Sequence, residues 1–142
     1  AECFAYWIFG IANVGAVQIL WDRSFHHRRK VVVFQPHRFT RTEELLDDFS
    51  ALLGGVACLV VTEVYAAGEK PIARADGRAL CRSIRARGGT DPVFVSDLTR
   101  LNEALTPMLR DGDVVLTLGA GDIGRAAREL VAPVHLHEGT YG

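Results

Sequence analysis

The pattern that most restricts this chain is an alternation that begins at residue 31. Short uninterrupted apolar runs are each followed by a stretch with a single apolar face. Val31–Gln35, Ala57–Thr62 and Asp113–Leu118 are apolar and rich in β-branched residues nearly throughout. Strands of that kind need cover on both faces, as in a parallel sheet held between helical layers. Between them, Thr42–Leu53 puts Leu45, Phe49, Leu52 and Leu53 on one helical face. Thr40 and Glu43 have capping-box spacing at its start, and Gly54-Gly55 marks its stop. Ala75–Arg87 predicts a second helix with Asp76 as cap and Leu80 and Ile84 inward. Asp97–Leu109 predicts a third, which Pro107 is expected to end early, and Asp122–Leu130 a fourth. Pro92–Ser96 and Pro133–His137 read as further strands. With right-handed crossovers this order gives an α/β fold, a doubly wound and mostly parallel Rossmann-like sheet. Ligands bind such sheets at the carboxyl ends of the strands. Function is therefore expected in the loops Pro36–Arg41, Glu63–Pro71 and Gly119–Gly124.

Composition narrows the class. A chain of 142 residues holds one domain and is too short for an enzyme that binds ATP and two further substrates. A net charge of −1 gives no reason to expect nucleic acid, and 49% hydrophobic residues exclude a disordered chain. Cys3, Cys58 and Cys81 are odd in number, widely spaced and without a C-x-x-C, which argues against a disulfide framework or a zinc site. They fit a reducing cytoplasm, with Cys58 a small buried hydrophobe. Residues 3–21 carry no charge. As a helix they would span about 28 Å, close to the hydrocarbon core of a bilayer. Trp7, Trp21 and the basic residues Arg23, Arg28, Arg29 and Lys30 suit an anchor there, although a buried element of a larger domain would look the same. The expected division is an unassigned extension over residues 1–30 and a Rossmann-like domain over 31–142.

In the first loop, Arg38 and Arg41 stand three apart at a helix start and can converge on one carboxylate or phosphate. Spacing alone favours two solvated arginines, and His37 beside them reads as a hydrogen-bonded loop residue. The loop containing Gly119, Gly121 and Gly124 matches G-x-G-x-x-G, but it follows the fourth strand and lacks a convincing ribose-binding acid. Glycines for a tight turn and close helix packing explain it as well as a phosphate would. No Walker-type phosphate loop and no metal-ligand spacing occurs. These residues alone leave open a stand-alone Rossmann-like module for a nucleotide or carboxylate, tethered to a membrane by residues 3–21.

Taken together, FQPHRFTRT (Phe34–Thr42), EVYAAGEKPI (Glu63–Ile72), ADGRAL (Ala75–Leu80) and GAGDIG (Gly119–Gly124) resemble one family in order and spacing. The resemblance is to the C-terminal domain of the UDP-N-acetylmuramate–L-alanine ligases, Mur ligases of peptidoglycan synthesis, and spans about residues 31–131. It implies a Rossmann-like domain of a cytoplasmic bacterial enzyme. In that enzyme ATP and Mg2+ activate the sugar's lactyl carboxylate, and the amine of L-alanine then attacks it. It also implies that Arg38 and Arg41 clamp the alanine carboxylate and that His37 sits at the closing domain interface. The UDP-binding and ATPase domains would lie outside this chain, which alone is expected to be inactive. Phe39, Ala66 and Gly77 stand where the family commonly has tyrosine, proline and serine. Residues 1–29 resemble neither the family's central domain nor its D-D-Y-G-H-H-P linker; Asp22 and His26-His27 are a faint echo.

Overall fold

The computed structural model describes residues 3–9, 28–129 and 134–140. Six strands form one sheet: β1 (Cys3–Phe9), β2 (Lys30–Phe34), β3 (Cys58–Thr62), β4 (Val93–Val95), β5 (Val114–Leu118) and β6 (Val134–Thr140). Their spatial order is β4-β3-β2-β5-β1-β6, and every neighbouring pair is parallel. The helices are α1 (Phe39–Glu44), α2 (Leu46–Leu53), α3 (Gly77–Ala86), α4 (Leu101–Leu105) and α5 (Ile123–Arg128).

The apolar strands are continuous because the sheet is covered on both faces. Successive strand residues point to opposite sides. Val32, Phe34, Leu59, Val61 and Leu116 therefore pack on one side, against Phe49 and Leu53 of α2 and Leu80 and Ile84 of α3. Val31, Val33, Val60 and Val115 pack on the other, against Leu101 and Leu105 of α4 and Ile123 of α5. Each fully buried Leu or Ile contributes about 1.5–3 kcal/mol through the apolar area it removes from water.

Three expectations change and one holds. The helix foreseen from Thr42 begins at Phe39 and breaks at Leu45, whose φ of −106° and ψ of 13° separate α1 from α2. The Thr40–Glu43 capping box does not form, because Glu43 pairs with Arg74 at 2.8 Å while Thr40 bonds to Glu69. Pro107 does end the third helix early: α4 stops at Leu105 and a 3-10 turn over Thr106–Met108 follows. Residues 3–9, foreseen as the start of a possible membrane helix, are instead strand β1, paired with β5 and β6. The rest of that stretch, with Trp21 and Arg23, lies outside the described residues. Among the described residues no helix is long and apolar enough to cross a membrane.

Part of the basic run is structural. Arg29 donates to the Asp113 carboxylate at 2.8 Å and to the Met108 carbonyl at 3.1 Å, and its guanidinium also reaches the sulfur of Cys58. Cys58 is accordingly half-buried and partnered, where a buried hydrophobe was expected. Cys81 is the buried one, and burial pushes its thiol up to about 11.

Candidate functional site

The arginine loop lies where β2 gives way to α1, at the carboxyl end of the sheet. Tyr65, from the loop after β3, holds it from the side. The Tyr65 N–H donates to the Pro36 carbonyl at 2.9 Å, and the Arg38 N–H donates to the Tyr65 carbonyl at 2.8 Å. The rings of His37 and Tyr65 stack, with centroids 5.7 Å apart and planes 9° from parallel. Arg38 then adopts φ 65° and ψ 139°, a positive φ that non-glycine residues seldom take. That bend starts α1, and the Thr42 N–H and hydroxyl both donate to the Arg38 carbonyl, at 3.1 and 2.8 Å. The Arg38 side chain is exposed, and Arg41 lies one turn further on.

The three predicted residues are coupled electrostatically. Burial holds the His37 imidazole below its usual 6.5, and the charges of Arg38 and then Arg41 push it the same way. Glu69 opposes them in part. The ring therefore favours its neutral form at pH 7 and feels both guanidinium charges. No acidic residue lies in the first turn of α1, where the helix dipole favours one. Glu69 supplies it from another loop: its carboxylate accepts from the Thr40 hydroxyl at 2.6 Å and from the Thr40 N–H at 3.2 Å. The bond from the Thr40 hydroxyl, with backbone donors and Arg38 assisting, keeps this carboxyl below its ordinary range against a smaller desolvation effect.

The glycine turn after β5 is filled by protein. A Cβ at Gly119 would lie 2.8 Å from Cγ2 of Ile123, and one at Gly121 would lie 2.5 Å from Cγ of Tyr65. Gly124 is buried in the first turn of α5. Buried Gln35 ties this turn to β2. Its Nε2 donates to Asp122 Oδ1 at 2.6 Å, and its Oε1 accepts from the Ile123 N–H at 3.2 Å. One of the amides that a bound phosphate would use is therefore already bonded to Gln35.

Beside these loops a cleft of about 590 Å³ opens at the carboxyl ends of β3 and β4, next to α5. Glu63, Asp97, Thr99, Asp122 and Arg125 line it, and Gln35 and Tyr65 form its border with the arginine loop. Arg38 and Arg41 are not among its lining residues. Glu63 also accepts from the N–H groups of Val64 and Gly77, at 2.8 and 2.9 Å, which fixes the start of α3.

Sequence periodicity points to Arg38 and Arg41 but passes over Gln35, Tyr65 and Glu69. Gln35 carried a usable signal, being a polar amide that closes an otherwise apolar strand. Tyr65 and Glu69 act through loop geometry, which leaves no periodic trace.

Comparison with known proteins agrees with this architecture. The family described as the Mur ligase, glutamate ligase domain, matches residues 14–121. A solved structure of the UDP-N-acetylmuramate-alanine ligase from Thermotoga maritima superposes with a TM-score of 0.63 at 26% sequence identity. The match covers 82% of this chain and 23% of that ligase, so the chain spans about a quarter of its length.

Proposed function

The chain belongs to the Mur ligase family through its glutamate ligase domain, and from that premise we propose that it is the amino-acid-gripping part of a UDP-N-acetylmuramate–L-alanine ligase. The reading rests on the loop that carries Arg38 and Arg41 at the carboxyl end of the sheet, tied to Tyr65 by backbone bonds at Pro36 and Arg38, with both arginine charges acting on the His37 imidazole. Two guanidinium groups suit a single planar carboxylate, and holding L-alanine by its carboxylate leaves the amine to face the acyl group it attacks. His37, largely uncharged at neutral pH, lies beside this clamp as a substrate or interface contact without adding a third positive charge.

ATP and Mg2+ are what the family as a whole uses. The described residues do not fit them. The sequence has no Walker-type loop, and among the described residues no group of three or more His, Cys, Asp or Glu side chains is placed to hold a metal ion. On this reading nucleotide, metal and the UDP-sugar are held mainly by other parts of a cytoplasmic ligase, and this chain is inactive alone.

Two measurements test the proposal. The purified chain, given ATP, Mg2+, L-alanine and UDP-N-acetylmuramate, is expected to release no phosphate above background; release dependent on both substrates would overturn the division of labour. L-alanine titrated into the labelled chain is expected to shift the side-chain signals of Arg38 and Arg41. Arg38→Ala or Arg41→Ala should weaken the response roughly tenfold or more, as expected when one charged hydrogen-bonding partner is lost. A response unchanged in both variants would end the clamp assignment.

A further inference from the structure

Among the described residues, two that are not glycine have positive φ: Arg38 at 65° and Ala67 at 51°. They lie on either side of one contact. Ala67 and Gly68, the latter at φ 89°, form the turn closed by the Glu69 N–H donating to the Ala66 carbonyl at 3.0 Å. That turn presents the Glu69 carboxylate to Thr40, two residues beyond Arg38. Strained backbone persists only where its surroundings over-determine it, and it gathers where a side chain must be held in one place. Here the strain on both strands of chain meets at the Glu69–Thr40 pair. The second tie is Tyr65, whose carbonyl accepts from the Arg38 N–H.

We propose that Glu69 is a positioning residue: by holding the first turn of α1 through Thr40, it keeps the Arg38 backbone at positive φ and so aims the Arg38 guanidinium. The role rests on the reading of Arg38 as a carboxylate clamp, but its mechanical part can be measured apart from that reading. Thr40 is the other half of the device. Its hydroxyl and its N–H both engage the carboxylate, so a serine keeps the hydroxyl bond while an isosteric valine loses it. Glutamine at position 69 keeps an acceptor and loses the charge.

The test uses the 142-residue chain, isotopically labelled, in six forms: wild type, Glu69→Ala, Glu69→Gln, Thr40→Val, Thr40→Ser and the Thr40→Val/Glu69→Ala double variant. The first readout is the strong intraresidue amide-to-Hα signal of a positive-φ Arg38, together with hydrogen exchange at the Thr40 amide. The second is the L-alanine titration. Glu69→Ala is expected to abolish the positive-φ signature, speed Thr40 exchange at least tenfold, and weaken the alanine response roughly tenfold, as for loss of a charge-assisted hydrogen bond. Thr40→Val should act in the same direction, Thr40→Ser should retain the wild-type signature, and Glu69→Gln should fall between. In the Thr40→Val/Glu69→Ala double variant the losses should not add, because both act on one contact. An Arg38 signature and Thr40 exchange unchanged in Glu69→Ala overturn the proposal, whatever alanine does. If Glu69→Ala removes the signature while the wild-type chain gives no response to L-alanine, the positioning stands and the clamp reading falls instead.

Discussion

Gly121→Ala tests the meeting point of the three loops. The added Cβ would lie 2.5 Å from Cγ and 2.6 Å from Cδ2 of Tyr65, and 2.7 Å from Oε1 of Gln35, where ordinary contact begins at 3.4 Å. Neither neighbour yields freely. The Tyr65 backbone is pinned to Pro36 and Arg38, so the ring escapes only by rotating off His37, which forfeits a stacked pair worth about 0.5–1.5 kcal/mol. Gln35 is buried and uses both ends of its amide, so displacing it exposes a desolvation cost of about 1–3 kcal/mol. Overpacking of this kind costs about 1–3 kcal/mol in general, and a destabilisation near 2 kcal/mol is expected, about 4 if Gln35 loses both partners. Urea unfolding measures it, with the ring-current shift of the His37 imidazole as a local reporter. Gly55→Ala is the control: nothing lies within 4 Å of its Cβ position and its φ is ordinary, so it should be neutral or stabilising by about 0.4–1 kcal/mol. A Gly121→Ala chain within about 0.5 kcal/mol of wild type, with His37 shifts unmoved, would refute the picture of a filled turn.

Other consequences can be checked on the same chain. Asp113, 2% exposed, accepts from Arg29 at 2.8 Å and from the Arg110 N–H at 2.7 Å. Asp113→Ala should therefore cost about 3 kcal/mol in urea unfolding, and a loss below about 1 would show the pair to be incidental. Gly89→Ala places a Cβ against the Gly54 carbonyl, which is backbone and cannot swing away, so thermal unfolding should show a drop of several degrees where Gly55→Ala shows none. His37 should titrate below 6.5 by NMR, lower still in Glu69→Gln and higher in Arg38→Ala. Because the folded state binds this proton less tightly than the unfolded chain, the stability it contributes is complete above pH 6.5 and is lost as pH falls through the lowered value. A His37 midpoint at or above 6.5 would contradict the arrangement of charges around the ring.

The doubly covered sheet was legible because β2, β3 and β5 are apolar on both faces, and only helices on both sides can account for that. Asp76 was legible as a cap because its partner, the Ala79 N–H at 2.8 Å, is local in sequence. Thr40 and Glu43 show the limit of the same reasoning. Their spacing suits a capping box, yet Glu69 and Arg74 compete for them across the fold, and a charge-assisted bond from another loop wins. β1 was hidden for a different reason: an uncharged stretch has the same composition as a bilayer helix or a buried strand, and only its partners distinguish them. The arginine pair was visible as chemistry. What aims it was not, since Tyr65, Gln35 and Glu69 act through backbone bends and single bonds that carry no period.

The position of β1 has a consequence for how the chain reaches this structure. The strands β4-β3-β2 are assembled from one continuous span of sequence by helical crossovers, and β5 then returns to pair with β2, Val114 against Lys30. β1 leaves the ribosome before that span, yet it pairs Phe4 with Val114 and Cys3 with Val134, so both of its partners are made long after it. Closing so long a loop carries an entropic cost that local pairings avoid, and non-local pairing of this kind slows folding. Because β6 meets the sheet only through β1, both strands belong to this non-local part of the assembly, while the arginine loop follows β2 in the part that pairs without them.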